Sequence, residues 1–306
     1  MLRRRLLPLV CALLLLLGLP AAADHDTGPN LGSVHAAVAN LDTGELLYAE
    51  RAGDIVPIAS VTKLMTAIVV LDSGEPLDEW LRIQDWSEPP PVNAFSRIRL
   101  ESELTRGELL KITLMSSENR AAYNLARHHP GGHEAFIEAM NARAADLGMD
   151  DTRFVDPSGL SSDNVSTAVD LIRLLDAARA YDEIIAASNT TGHHARFRRP
   201  QYVKGYRNTN ALVHRGRWNI GVSKSGYLDA AGRCLVMTTR VDGSSIAMVM
   251  LNSFGTRTPI GDAGRIRTWV RTGRPGSVSG RALDYKQERA AALDEEREVQ
   301  PAADTL

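Results

Sequence analysis

The sequence predicts an α+β fold, in which helices cover both faces of an antiparallel sheet. Strand patterns joined by a hairpin signal come first, apolar stripes of helical period fill the middle, and more strand patterns precede a last helix. Because the flanking strands must bury their apolar faces, we expect the N- and C-terminal strands to share one sheet. The segment between them is predicted to be an all-helical insert.

Composition limits the classes of function that need to be considered. Apolar residues make up 44% and charged residues 24% of the 306 residues, which is typical of a globular protein able to bury a large core. The formal net charge of −2 excludes the basic footprint of a nucleic-acid-binding protein. The sequence carries no sustained internal repeat.

The first residues have the pattern of a signal peptide. Arginines at positions 3–5 are followed by an apolar run over 6–19 and by the small residues 21–23. An uncleaved anchor is the alternative, but the apolar run is short for a membrane span. We therefore predict a signal peptide over 1–23, cleavage after Ala23, and an exported, periplasmic protein. Cys234 is then the only cysteine left, and it reads as a buried core thiol.

The first elements of the mature chain lead to a buried helix. Alternating patterns over 34–40 and 45–50 predict two strands, joined by the turn residues 42–44. The apolar run from Leu64 to Leu71 then leaves no polar face, which predicts a helix buried on all sides. Ser60 stands in the first turn of this helix, and Lys63 lies on the same face one turn further on.

The middle of the chain is mainly helical. The prolines at 89–91 indicate a surface excursion over 75–99, and a capping box at 105–108 begins a helix that ends near Ser116. A second helix starts at once with 117–119, which places Ser117 and Asn119 at a corner between two helices. Alone, Ser117 would be read as an ordinary N-cap.

Two further helices and two irregular segments follow. Helical patterns cover 136–147 and begin again at 167, and a tight loop over 156–160 lies between them. Residues 189–215 are rich in Arg, His, Asn and Thr, and we predict a loop or a small excursion there. His193 and His194 lack a third ligand at metal spacing, so they are predicted to be solvated loop residues.

The C-terminal part returns to strands. Residues 218–222 form a predicted strand that runs into 224–226, and strands at 235–240 and 246–251 are joined by a hairpin turn. A helix begins near Thr258. We predict one domain over 24–273, followed by a linker and an acidic, disordered tail over 274–306 that lacks the basic face of a membrane anchor.

Three short motifs carry the candidate chemistry. A serine needs a base to become a nucleophile, and a lysine that is partly desolvated can be neutral often enough to serve Ser60 in that role. Lys224 and Ser225 place a cation and a hydroxyl where a carboxylate could bind, and Gly226 lets another backbone come close. Each motif by itself is weak, and the ordinary reading of the first is an N-cap serine with a surface lysine.

Together and in this order, the motifs are specific. Ser60-Val61-Thr62-Lys63, Ser117-Glu118-Asn119 and Lys224-Ser225-Gly226 match the Ser-x-x-Lys, Ser-x-Asn, Lys-[Thr/Ser]-Gly signature of penicillin-binding proteins and serine β-lactamases. The surrounding residues and the loop at 156–160 resemble the low-molecular-mass D-alanyl-D-alanine peptidases. The stretches 207–210 and 218–220 resemble the endopeptidase branch of that family. The resemblance covers roughly residues 30–273.

The resemblance implies a fold, a reaction and a set of roles. The fold would be β-lactamase/transpeptidase-like, and the substrates would be the peptide stems of peptidoglycan, with β-lactams as covalent inhibitors and without a metal or organic cofactor. Ser60 would be the nucleophile, Lys63 its base, and Ser117 the proton relay to the leaving amine. The remaining roles are substrate binding by Asn119, Lys224, Ser225 and Gly226, and an oxyanion hole from the backbone N–H groups of Ser60 and Tyr227.

Alternatives remain at this stage. A non-catalytic wall-binding module on the same fold would be expected to lack a catalytic group, and all are present. A carboxypeptidase acting on pentapeptide stems stays open beside the endopeptidase. A β-lactamase would need a group that activates water, and no glutamate lies between Asn141 and Ser166. Asp156 could stand in, but a proline follows it and an aspartate reaches less far than a glutamate. The one departure from the signature is Ser225, where threonine is usual.

Overall fold

A five-stranded antiparallel sheet forms the centre of the fold. The computed structural model describes residues 28–87 and 94–299, so the predicted signal peptide lies outside the described residues. Neighbouring strands follow the order β2-β1-β11-β10-β9. These strands are β1 (Ser33–Asn40), β2 (Glu45–Glu50), β9 (Ile220–Leu228), β10 (Gly232–Val241) and β11 (Ser244–Ser253).

The pairing of β1 with β11 joins the two ends of the chain. Ser33 pairs with Ser253 and Asn40 with Ile246, so the contact runs along the whole of β1. β1 is buried over almost its full length because helices lie on both faces of the sheet. The predicted α+β class and the shared sheet are thus confirmed.

Two apolar layers fill the space between sheet and helices. The larger layer buries one face of the sheet against the helices that follow β2, and the smaller layer buries the other face, including Met248 and Met250, against Ile266. The helices are α1 (Lys63–Asp72), α2 (Arg106–Met115), α3 (Asn119–Arg127), α4 (Gly132–Asp146), α5 (Ala168–Ala178), α6 (Asp182–Asn189), α7 (Thr258–Thr272) and α8 (Gly280–Val299).

The insert between β2 and β9 is mainly helical but also carries short strands. These are β3 (Val56–Pro57), β4 (Trp80–Arg82), β5 (Glu103–Thr105), β6 (Val165–Ser166), β7 (Gly192–Phe197) and β8 (Tyr202–Arg207). The loop predicted over 189–215 was therefore wrong, since β7 and β8 form a hairpin. Only Ala195, Phe197 and Tyr206 of this hairpin are buried, so its many polar residues hid the two-residue period.

The described part of the C-terminal tail is also more regular than predicted. Residues 274–279 form neither helix nor strand, and residues 280–299 form α8 where disorder was predicted. The rest of the predicted tail, 300–306, lies outside the described residues. Helix α8 lies beside β1 and is held by specific contacts: Ala282 is buried, the Tyr285 hydroxyl donates to Asn252 at 2.7 Å, and Lys286 pairs with Glu50 at 2.5 Å. A few anchored residues thus hold an otherwise charged helix.

No helix within 28–87 and 94–299 combines the length and the apolar character needed to cross a membrane.

Candidate active site

The three predicted motifs meet at one place. Ser60 lies on a 3-10 turn, Ala59–Thr62, that leads into α1, and not in the first α-helical turn as predicted. The corner between α2 and α3 brings Ser117 and Asn119 to the same cleft, and β9 brings Ser225 and Gly226. The cleft has a volume of about 1440 Å³ and opens to solvent on one side.

Lys63 is the centre of the hydrogen bonds in this cleft. Its side chain is 0% exposed, and its Nζ donates to Ser60 Oγ at 2.9 Å and to Asn119 Oδ1 at 2.8 Å, and also to the carbonyl oxygen of Ser158. A neutral amine has two N–H groups and one lone pair. Deprotonation therefore leaves N–H groups for Asn119 and Ser158, while the lone pair can accept the Ser60 proton.

The surroundings bring Lys63 into the range of a base at neutral pH. Burial lowers its pKa from 10.5 to about 7, although the charges of Asp156 and Glu118 act in the opposite direction. A group that is half neutral near pH 7 combines availability with basicity.

Lys224 lies on the opposite wall, on β9. It is 1% exposed, and its Nζ donates to Ser117 Oγ at 2.9 Å and to the carbonyl oxygen of Ser225 at 2.7 Å. Burial lowers its pKa well below 10.5, and the charge of Lys63 lowers it further. The hydroxyl of Ser117 is thus linked to an amine that can exchange protons with it.

The backbone around Ser60 is held in an unusual shape. Ala59 has φ of +48°, in the left-handed region that costs a residue with a side chain roughly 1–3 kcal/mol. A Cβ at Gly159 would lie 2.0 Å from the Ala59 carbonyl oxygen, and one at Gly226 would lie 3.1 Å from the Ser60 nitrogen. Two glycines therefore press on this turn from both sides, and β9 runs beside the Ser60 N–H, where the oxyanion hole is predicted.

The Ser117 corner is also strained. Ser117 has φ of +60°, which lets α2 end and α3 begin within a few residues. Glu118 turns inward, where burial raises its pKa although hydrogen bonds with Ser96 and the Arg120 backbone act in the opposite direction. Its charge raises the pKa of Lys63, which connects this carboxyl to the site.

Asp156 has a structural task that the sequence did not reveal. Its Oδ1 accepts from the Ser158 backbone at 2.6 Å and from Gly159 at 2.8 Å, and its Oδ2 accepts from Ser161 at 2.8 Å. The Asn164 amide adds a further bond to Oδ2 at 3.1 Å. This carboxylate therefore shapes the loop that supplies the Ser158 carbonyl to Lys63.

Further residues of the cleft were missed by sequence reasoning. The Ser225 hydroxyl donates to Thr209 Oγ1 at 2.7 Å, and the side chains of Arg215, Arg233 and Arg257 line the cleft beyond it. Thr209 falls in a stretch that carries the resemblance at 207–210, which was the available signal. For the three arginines the sequence offered no such signal, because no local pattern distinguishes them from other surface arginines.

Two other residues considered from the sequence form no recorded hydrogen bond with the catalytic groups in the described part of the chain, although Cys234 lines the cleft. His193 lies on the β7–β8 hairpin and hydrogen-bonds Glu108 of α2 at 2.5 Å. Cys234 is buried opposite Gly226, and its thiol donates to the Ala231 carbonyl at 3.5 Å. Within 28–87 and 94–299, no group of three His, Cys, Asp or Glu side chains is arranged to hold a metal ion.

The geometry supports covalent catalysis at Ser60. A hydroxyl with a buried lysine base, a second hydroxyl linked to a second lysine, and a backbone N–H at the strained turn are the parts needed for acyl transfer. Asn119 and β9 border the space where a peptide would lie.

Comparison with known proteins agrees with this chemistry. Residues 22–255 match the peptidase S11 family, described as D-alanyl-D-alanine carboxypeptidase. The D-alanyl-D-alanine endopeptidase of Escherichia coli is 47% identical over 273 residues, covering 89% of this chain and 88% of that protein. The D-alanyl-D-alanine endopeptidase of Pseudomonas aeruginosa is 44% identical and covers 99% of each chain.

Solved structures show the same architecture. The Streptomyces K15 DD-transpeptidase aligns with a TM-score of 0.72 and 26% identity, covering 79% of this chain and 98% of that one. Penicillin-binding protein D2 from Listeria monocytogenes, in its cefotaxime-bound form, aligns with a TM-score of 0.69 and 26% identity, covering 81% of this chain and 99% of that one.

Proposed function

The chain belongs to the peptidase S11 family of D-alanyl-D-alanine carboxypeptidases, and from that premise we propose that it hydrolyses D-alanyl bonds of peptidoglycan through an acyl-enzyme on Ser60. It acts mainly as an endopeptidase that cuts D-alanyl–diaminopimelyl cross-links during remodelling of the cell wall. The observation that carries the proposal is the Lys63 amine, fully buried and 2.9 Å from Ser60 Oγ. The endopeptidase assignment is supported by the two relatives of that name.

In the acylation step, Ser60 Oγ bonds to the carbonyl carbon of the D-alanyl residue. The hydroxyl proton passes to the lone pair of Lys63, whose pKa of about 7 leaves a large neutral fraction at physiological pH. The carbonyl oxygen becomes an oxyanion, which accepts hydrogen bonds from the backbone N–H groups of Ser60 and Tyr227.

Collapse of the tetrahedral intermediate breaks the C–N bond. The leaving nitrogen takes a proton from Ser117, which Lys224 replenishes through their 2.9 Å hydrogen bond. Asn119 holds the substrate amide and orients Lys63 through the 2.8 Å contact to its Nζ. The carboxylate beside the scissile bond binds Lys224 and the Ser225 hydroxyl, while Gly226 lets the peptide backbone approach.

Deacylation by water completes the cycle, and no metal or organic cofactor takes part. Asp156 is poorly suited to act as the base of a β-lactamase, because its oxygens already accept hydrogen bonds from the loop over 158–161. We therefore expect the penicilloyl ester on Ser60 to persist, which makes β-lactams covalent inhibitors with little turnover.

Parallel digestion tests the function. Purified cross-linked dimers and pentapeptide monomers are incubated with the mature protein, and the products are identified by mass. We expect dimers to be split into monomers. Loss of only the terminal D-alanine, with dimers left intact, would show a carboxypeptidase instead, the second candidate favoured by the description of the family.

Labelling with fluorescent penicillin tests the nucleophile separately. The wild type should gain one covalent adduct on the peptide containing Ser60, and Ser60→Ala should gain none. An undiminished adduct in Ser60→Ala would contradict the assignment, and rapid catalytic hydrolysis of penicillin would overturn the expected persistence of the ester.

Export belongs to the same proposal. We propose that residues 1–23 are removed, that 24–273 forms the peptidase domain, and that the protein works in the periplasm, where peptidoglycan lies. Cell fractionation followed by mass measurement of the intact protein tests this. Recovery mainly in washed membranes, with residue 1 retained, would contradict cleavage.

A further inference from the structure

The cleft extends past the catalytic groups into a region lined by arginines. Arg215, Arg233 and Arg257 are among the residues that line this region. Within the described part of the chain, none of the three forms an ion pair with a carboxylate, although many other arginines do. Unpaired cations gathered along one cleft indicate an anionic ligand.

Arg233 is held by a stacking contact with an aromatic ring. It pairs with Tyr227 across β9 and β10, and its guanidinium carbon lies 3.8 Å from the centre of the Tyr227 ring. The Tyr227 hydroxyl donates to Asp229 at 2.6 Å, which fixes the ring that supports the guanidinium. A stacked guanidinium keeps the N–H donors in its plane free, and it is already oriented for a carboxylate.

Arg233 lies a short distance along the sheet from Ser225, the residue proposed to bind the carboxylate next to the scissile bond. Ser225 and Tyr227 are two residues apart on β9 and face the same side, which separates them by roughly 7 Å at the rise of a strand. Arg233 stands beside Tyr227, so it lies one such step from the hydroxyl that takes the carboxylate next to the scissile bond.

The pentapeptide stem and the cross-link differ in what the leaving group carries about 7 Å beyond the first carboxylate. A pentapeptide stem releases one D-alanine, whose single carboxylate is taken by Ser225 and Lys224. A cross-link releases a diaminopimelyl stem, in which three methylene groups separate the carbon at the scissile nitrogen from the carbon bearing the second carboxyl. This second carboxyl is free when the leaving stem is a tripeptide that ends at diaminopimelate, and it is amide-bonded to D-alanine in a tetrapeptide stem. A cross-link to a tripeptide stem therefore offers a second carboxylate further along the cleft, which the pentapeptide lacks.

We propose that Arg233, stacked on Tyr227, binds the free second carboxylate of a leaving tripeptide stem that ends at diaminopimelate, and so favours such cross-links over pentapeptides. This inference rests on the proposed function, because it concerns the leaving group of the same reaction. Arg233 is a specificity-determining residue that touches substrate and takes no part in proton transfer.

The test compares two substrates and two variants. The substrates are a tetrapeptide–tripeptide dimer, in which the second carboxyl of the diaminopimelate is free, and a pentapeptide monomer. For Arg233→Ala we expect the ratio of kcat/KM for dimer to kcat/KM for pentapeptide to fall about tenfold, the size of one charge-assisted hydrogen bond. Arg240→Ala, an exposed arginine on the same strand, is the matched control and should leave the ratio unchanged.

A chemical change in the substrate gives a second, independent test of the contact between Arg233 and the second carboxylate. Conversion of the second carboxyl to a carboxamide should lower the wild-type rate on the dimer about tenfold and barely affect Arg233→Ala. The melting temperature and the rate of penicillin acylation verify that the variant is folded, and Arg233→Lys should give an intermediate ratio.

Three outcomes would overturn the inference, and they are distinguishable. An unchanged ratio in Arg233→Ala, with the wild type still splitting dimers, contradicts the role of Arg233 and leaves the endopeptidase function standing. An equal loss on both substrates places Arg233 at the carboxylate next to the scissile bond. Failure of the wild type to split any dimer overturns the endopeptidase function and this inference together.

Discussion

The two walls of the cleft hold lysines that differ in their partners. Lys63, on the α1 wall, has three acceptors around its Nζ and two carboxylates near enough to raise its pKa. Lys224, on the β9 wall, donates to two oxygens, and no described carboxylate offsets the lowering of its pKa by burial and by Lys63.

Because of this difference, Lys63 is suited to act as the base for Ser60, and Lys224 is suited to donate hydrogen bonds. Near pH 7 Lys63 exists in both charged and neutral forms, because burial lowers its pKa to about 7 against the charges of Asp156 and Glu118, so it can accept and release a proton. Lys224 Nζ donates to Ser117 Oγ and to the Ser225 carbonyl oxygen, so its protonated form keeps a third N–H for an incoming carboxylate. A buried lysine is therefore defined by the charges and acceptors around it, and not by burial alone.

The largest expected effect tests the base directly. Lys63→Gln keeps much of the volume but removes the lone pair, and we expect the rate of Ser60 acylation by penicillin to fall by about 10³-fold or more, within the range of general-base catalysis. Stopped-flow labelling measures it, and circular dichroism verifies the fold. A loss below tenfold would assign the base to another group.

A smaller loss is expected on the other wall. Lys224→Gln removes the proton partner of Ser117 and part of the carboxylate site, while the Ser117 hydroxyl and Lys63 remain, so acylation should fall about 10²-fold. The same labelling assay applies. If this variant loses as much as Lys63→Gln, the division of labour between the two lysines is wrong.

The pH dependence sharpens the comparison. Acylation should rise with pH through about 7, since Lys63 must be neutral to accept the proton. The charge of Glu118 raises the pKa of Lys63, so Glu118→Gln should lower that pKa and move the rising limb to lower pH.

Glu138→Gln is the control for this shift, because Glu138 is exposed on α4 outside the cleft. Its profile should coincide with that of the wild type. A limb that stays in place in Glu118→Gln, or moves to higher pH, would contradict the influence of Glu118 on Lys63.

The smallest effect is expected at Ser225, where threonine is usual in the family. Ser225→Thr keeps the hydroxyl that bonds Thr209 and adds only a methyl group, so kcat/KM on the dimer should stay within about threefold of the wild type. Ser225→Ala should lose more than that in the same assay. If the two variants behave alike, the hydroxyl has no part in binding.

The sheet and the motif geometry could be predicted because they depend on local signals. Hairpin residues such as Asp242 and Gly243 marked strand pairs, and the apolar run after Lys63 marked the buried helix. The β7–β8 hairpin was missed because its few inward residues stand among arginines and histidines, and α8 was missed because contacts such as Tyr285 with Asn252 join positions far apart in sequence.

The same limit applies to the site. Ser60, Lys63 and Ser117 stand in short motifs, so their meeting in one cleft could be anticipated. The commitment of Asp156 to its own loop and the stacking of Arg233 on Tyr227 depend on the folded backbone, and composition gave no sign of either.

The glycines on either side of the Ser60 turn bear on drug resistance. A larger side chain at either glycine would disturb the turn that carries Ser60, because a Cβ at Gly159 would collide with the Ala59 carbonyl at 2.0 Å, and one at Gly226 would crowd Ser60 at 3.1 Å. Such a mutant would displace its own nucleophile. Inhibitors that rest on these two backbone segments therefore contact surfaces that the enzyme can change only by losing activity.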